Sequence, residues 1–127
     1  MDARPDLDVR ILVVWEPVIA TDVAPPTTGT LARIHDRRAI QYWDRDRVLS
    51  ADIIRSVGPD PERYGLTDEL DASSIVWDTV AVFPKTARWE RDFPVPTFYG
   101  FPVATAAPGL AAALSSANSN ANPKSPP

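Results

Sequence analysis

Hydrophobic positions along the chain gather in short runs separated by prolines and polar stretches. The clearest run is residues 9–15, Val-Arg-Ile-Leu-Val-Val-Trp. Leu7, Val9, Ile11, Val13 and Trp15 fall on one face there, Leu12 and Val14 on the other. β-Branched residues dominate and both faces are mostly apolar, the pattern of a strand covered on both sides, as in a parallel sheet. Pro17 ends it, and Pro25-Pro26 stiffen a loop over residues 21–29. The spacing then predicts a helical zone over residues 30–57, in short pieces. Leu31 and Ile34 form the first apolar pair. Asp36 is placed to cap a second piece whose i, i+3 pair is Ile40 and Trp43, and Ser50 to cap a last one striped by Ile53, Ile54 and Val57. Gly58-Pro59 stops it, because glycine takes the left-handed cap and proline cannot continue.

Residues 60–74 are polar and irregular in pattern. Residues 75–83, Ile-Val-Trp-Asp-Thr-Val-Ala-Val-Phe, predict a second strand that Pro84 ends. Residues 97–103 alternate, with Thr97, Tyr99, Phe101 and Val103 on one face, and predict a third. Pro102 cannot donate to a ladder, so this strand belongs at an edge. The loop between the two suits antiparallel pairing. Pro108 starts a short Ala/Leu helix over residues 109–116, and the Asn/Ser/Pro-rich residues 117–127 read as a disordered tail. The expected organisation is one domain over residues 1–116 followed by that tail. The order strand, helices, strand, strand, helix places the chain in the α/β class, as a small mixed sheet with an antiparallel C-terminal hairpin and flanking helices.

Composition narrows the partners. The 127 residues are 44% hydrophobic and 24% charged, enough for one packed core. The net charge of −4 argues against nucleic acid and against anionic membrane, since phosphate needs a basic surface. No apolar run approaches the roughly 18 residues of a membrane-spanning helix. The charged start, Met1-Asp2-Ala3-Arg4, shows no secretory signal, so a cytoplasmic location is expected. With no cysteine, the chain has no disulfide, thiolate metal site or thiol nucleophile. It carries no phosphate loop, dinucleotide fingerprint, metal-ligand spacing or nucleophile elbow, so no cofactor and no metal are expected.

Five residues stand out as binding candidates. Trp15, Glu16 and Asp22 cluster after the first strand, where open α/β sheets bind ligands. Glu16 and Asp22 have the chemistry of an acid/base pair or hard-metal ligands, against the plainer reading of a solvated loop in which Asp22 makes a turn. Asp78 interrupts an apolar strand, either as a buried carboxylate or at the wet end of the sheet. Trp89, beside Arg88 and Arg91, is either an interface anchor or a loop tryptophan folded over the core. Trp15, Trp43 and Trp77 sit in periodic elements and read as core. His35, the single histidine, adjoins Asp36, but sequence neighbours on a helix do not face each other. The mixed charges of residues 36–47 read as a solvated helix face. No catalytic residue is assigned.

Three segments carry a family resemblance: residues 8–22, Asp-Val-Arg-Ile-Leu-Val-Val-Trp-Glu-Pro-Val-Ile-Ala-Thr-Asp; residues 32–44 with Ala-Arg-Ile-His-Asp-Arg-Arg and Gln-Tyr-Trp-Asp; and Val76-Trp77-Asp78 with residues 83–89, Phe-Pro-Lys-Thr-Ala-Arg-Trp. Over residues 8–114 the chain resembles bacterial, largely uncharacterised thioredoxin-like proteins. The resemblance implies a partial thioredoxin-like βαββα unit. In longer members a strand and a helix, joined by a cysteine or selenocysteine motif, come first, and that strand lies in the middle of the sheet. On this reading the chain lacks both, which leaves three outcomes: residues 9–15 pair directly with residues 75–83 by a right-handed crossover in a smaller three-stranded sheet, a partner protein or a second copy completes the sheet, or the natural protein extends upstream. The implied function is a redox-inactive thioredoxin-like domain working through protein contacts, as a subunit or accessory module. The alternative is the C-terminal part of a thiol-disulfide oxidoreductase whose redox motif lies on an upstream segment or partner chain.

Overall fold

The computed structural model describes residues 7–66 and 75–121. The chain divides after Leu49 into two compact units.

The first unit holds strand β1 (Ile11–Trp15), the one-turn helix α1 (Thr28–Leu31) and strand β2 (Ala39–Trp43). β1 and β2 pair in parallel, from Ile11 opposite Ala39 to Trp15 opposite Trp43. Side chains alternate across a strand, so Leu12, Val14, Ile40 and Tyr42 share one face of this ribbon. Ile11, Val13, Trp15, Ala39, Gln41 and Trp43 share the other. Thr27 caps α1, its Oγ1 accepting from the Thr30 amide at 3.2 Å. Arg38 ties the base of the ribbon together. Its Nε and Nη2 donate to Asp36 at 2.9 and 2.7 Å, and its Nη1 donates to the Leu7 carbonyl at 2.6 Å.

The expected strand is present over Ile11–Trp15, though with Leu12 exposed it is not covered on both faces, and the second helical piece is absent. Residues 39–43 form a strand because Ile40 and Tyr42 alternate against Ala39, Gln41 and Trp43 beside a ready-made parallel partner. The i, i+3 spacing of Ile40 and Trp43 fits a helix equally well in sequence. Asp36 does accept an amide hydrogen, from Arg38 at 2.9 Å, but in a turn rather than at a helix start.

Helix α2 (Val48–Val57) begins at the end of the first unit and runs into the second. Ile53 and Val57 are buried on it, as the stripe predicts, and the Gly58 amide closes it on the Ile54 carbonyl at 2.9 Å. Ser50 is not its cap. It is fully buried and its Oγ accepts from the Val76 amide at 2.9 Å. Asp44 holds the helix start instead, accepting from the Leu49 amide at 2.7 Å.

In the second unit α3 (Pro61–Tyr64) occupies part of the stretch read as irregular. Asp60 caps it, Pro61 opens it and Gly65 ends it with φ 72°. Residues 67–74 lie outside the described residues. Strands β3 (Val80–Val82) and β4 (Phe98–Gly100) pair antiparallel, the expected hairpin in shortened form. Asp78, at φ 52°, turns the backbone before β3 and so cuts the long strand predicted over residues 75–83. The described strands form two separate two-stranded sheets, not one mixed sheet.

Helix α4 (Val103–Ala121) starts five residues before Pro108, which sits inside it. Pro102 precedes the first turn, where its carbonyl accepts from the Thr105 and Ala106 amides at 3.0 and 3.1 Å and a missing N–H is harmless. The helix passes through residues 117–121 of the stretch read as tail, and residues 122–127 lie outside the described residues. The core of this unit is Ile53, Val57, Tyr64, Leu66, Phe93 and Ala106. Phe93 is its centre, with Trp89, Phe83 and Tyr64 rings at 5.0, 5.4 and 6.1 Å. No helix among the described residues is long and apolar enough to cross a membrane.

Candidate functional site: a two-tryptophan cleft

Parallel pairing brings Trp15 and Trp43 side by side at the carboxyl ends of β1 and β2. A cleft of about 190 Å³ opens there, lined by both indoles, by Glu16 and Asp22, and by Pro26 and Thr30 from the following loop and α1. The position obeys the rule that α/β ligands sit beyond the carboxyl ends of parallel strands.

Each wall is held by identifiable bonds. The Trp15 indole N–H donates to Gln41 Oε1 at 3.0 Å, and Gln41 Nε2 donates to the Leu31 carbonyl at 3.0 Å. One amide therefore fixes an indole and the end of α1 together. Asp22 Oδ2 accepts from the Val18 and Ile19 amides at 2.9 and 3.0 Å, which folds residues 18–22 into a turn. Burial pushes the Asp44 carboxyl up, but the Leu49 and Val48 amides, the Glu16 side chain and the Asp46 amide outweigh it and hold it below the usual range.

The structure thus brings together three of the five sequence candidates, Trp15, Glu16 and Asp22. Asp78 stands apart, exposed and at φ 52°, its carbonyl accepting from the Val103 amide at 2.9 Å. Trp89 also belongs elsewhere. It is 43% exposed, its ring edge meets Phe93, and its N–H donates to Asp52 Oδ2 at 2.7 Å. Arg55 and Trp89 together lower the Asp52 carboxyl, with the Arg55 hydrogen bond the larger cause. His35 is exposed.

Sequence reasoning missed Trp43, read as core, and Asp44, read as part of a solvated charge run. A signal for Asp44 existed: a carboxylate shortly before an apolar-periodic helix is a capping candidate. Nothing comparable marked Trp43, whose place in the cleft depends on strand pairing. No group of metal-ligating side chains occurs among the described residues. No protein-family model, curated protein or solved structure matches the chain.

Proposed function

We propose that this chain is a redox-inactive, thioredoxin-like domain that works through a protein contact, made by adding a strand to the outer edge of β1. The observation that carries the reading is the exposed apolar face of the ribbon: Leu12 is 60% exposed, Tyr42 50% and Ile40 47%. Parallel strands are ordinarily buried on both faces, and a two-stranded ribbon is marginal alone.

The edge is equally open. Ile11 donates its amide to the Arg38 carbonyl and Trp15 accepts from the Asp44 amide, so residues 11, 13 and 15 turn their backbone toward β2. Leu12 and Val14 therefore turn theirs outward, and β1 has no second ladder among the described residues. A second copy of the chain fits this edge. Antiparallel pairing about Val13 sets Leu12 opposite the partner's Val14, and Arg10 opposite the partner's Glu16.

Support for the thioredoxin-like part comes from element order. The described elements run strand, helix, strand, helices, strand, strand, helix, with the first two strands parallel and the last two antiparallel. That is one strand and one helical segment more than the partial βαββα unit implied by the resemblance, with α2 and α3 counted as one segment. With no cysteine, the chain itself has no thiol chemistry.

Size-exclusion chromatography with light scattering tests the contact. The chain is expected to run as a dimer and Leu12→Lys as a folded monomer. A chain that stays monomeric at every concentration, or a Leu12→Lys variant as dimeric as the wild type, overturns the reading.

A further inference from the structure

We infer that the two-tryptophan cleft is a binding site for an organic cation, an alkylammonium or methylated ammonium group. The inference is separate from strand addition at β1, because its walls lie on the Trp15 and Trp43 side and its test reads ligand binding rather than size.

Three properties of the cleft converge on this chemistry. Its two largest walls are indoles, the aromatic rings that attract cations most strongly. Its polar side chains are two carboxyls, Glu16 and Asp22, and one hydroxyl, Thr30, with no lysine or arginine among the lining residues. Its volume of about 190 Å³ is on the order of six water molecules, room for a compact headgroup and not for a nucleotide.

The carboxylates are arranged for attraction rather than for self-neutralisation. Both amide bonds to Asp22 end on Oδ2, so they fix the carboxylate, and no cation among the described residues pairs with it. A cation entering the cleft would meet pinned negative charge and two π faces, one of them locked by Gln41. A hard metal ion is a poor match, because it takes about six or more oxygen ligands and the lining offers side-chain oxygens from Glu16, Asp22 and Thr30 alone.

Intrinsic tryptophan fluorescence and two-dimensional NMR on the full chain test this, with choline as the probe and 3,3-dimethylbutan-1-ol as its uncharged isostere. Choline should bind saturably, with a dissociation constant on the order of millimolar, and should move the indole N–H signals of Trp15 and Trp43 but not those of Trp77 and Trp89. The isostere should bind roughly tenfold more weakly, as should choline to Asp22→Asn, which retains an oxygen for the Val18 and Ile19 amides. Two further arms, trimethyl-lysine amide and acetyl-arginine amide, distinguish a free small molecule from a side chain of a bound peptide as the source of the cation. Equal binding of choline and its isostere, or no saturable response to any of the cations, overturns the inference. Because the isostere comparison uses the wild-type chain, it stands even if the variant does not fold.

Discussion

Trp15 and Gln41 are joined across the β1–β2 ribbon by an indole N–H donated to Oε1 at 3.0 Å, and Gln41 passes the connection on to the Leu31 carbonyl. A polar residue on the inner face of a strand is thereby satisfied at both ends of its amide. Replacing it by leucine removes both bonds and leaves the partly buried indole N–H unpaired, while the Leu31 carbonyl retains the Ile34 amide. Gln41→Leu is expected to lower stability by about 1–3 kcal/mol in urea unfolding. Gln41→Glu, which retains the acceptor for Trp15, should also keep the Trp15 fluorescence closer to that of the wild type. Identical unfolding midpoints for the wild type and Gln41→Leu would show that the amide bridge contributes nothing.

Asp36 gives the ribbon an acid sensitivity of its own. The Arg38 guanidinium and amide hold its carboxyl down from 3.8 to about 2. A carboxyl with a folded-state value below its unfolded one binds fewer protons when folded. Its stabilisation is complete above about 3.8 and fades as the pH falls toward about 2. Asp44 and Asp52 are shifted the same way, so the whole chain should weaken in acid. The Asp36 share is the difference between the wild type and Asp36→Asn. Urea midpoints of the two proteins should converge as the pH drops through that window; a constant gap down to pH 2 would remove Asp36 from the account.

How far these relationships were legible in the sequence depends on what carries them. Residues 9–15 announced a strand because every position but Arg10 is apolar; the double covering that the same apolar run implied is absent, since Leu12 is exposed. Ile53, Val57 and Gly58 announced a helix and its end. Residues 39–43 did not. Ile40 and Trp43 satisfy helical spacing while Ile40 and Tyr42 satisfy strand spacing, and only the presence of β1 as a parallel partner decides between them. The cleft was half visible: Trp15, Glu16 and Asp22 lie close in sequence, but Trp43 joins them through that same pairing. Asp78 misled for a local reason. Its neighbours have strand composition, yet aspartate also tolerates the left-handed conformation, and the turn won. Pro108 misled similarly, since proline suits a helix's first turn but here interrupts a helix already begun at Val103.

The packing of α4 on β4 depends on two glycines. A Cβ at Gly109 would stand 2.6 Å from the Phe98 ring, and one at Gly100 would stand 2.5 Å from the Ala106 Cβ. Alanine at position 109 gains up to about 1 kcal/mol in helix propensity but must displace a ring packed against it, which typically costs about 1–3 kcal/mol. Gly109→Ala is therefore expected to be destabilising overall. Gly29→Ala in α1 is the control, because its Cβ would meet only the Thr27 hydroxyl, at 3.9 Å. Thermal unfolding should lower the midpoint for position 109 and leave it level or raised for position 29. The opposite order would mean that the Phe98 ring moves freely.

Arg47 closes the turn that leads into α2. Its amide donates to the Asp44 carbonyl at 3.3 Å, and its φ of 56° is left-handed. An L-residue in that region carries roughly 1–2 kcal/mol of steric strain, whereas glycine has no Cβ to clash. Glycine also loosens the unfolded chain, which returns about 0.4–1 kcal/mol of the gain. Arg47→Gly should then stabilise the protein by a few tenths to about 1 kcal/mol, with Arg47→Asn intermediate, because asparagine tolerates the same conformation. Arg47→Val should destabilise, since a β-branched side chain is the worst fit to a positive φ. The ranking Gly, Asn, Arg, Val in denaturant midpoint checks the conformation directly: if valine proved no worse than arginine, the left-handed turn before α2 would not exist in solution.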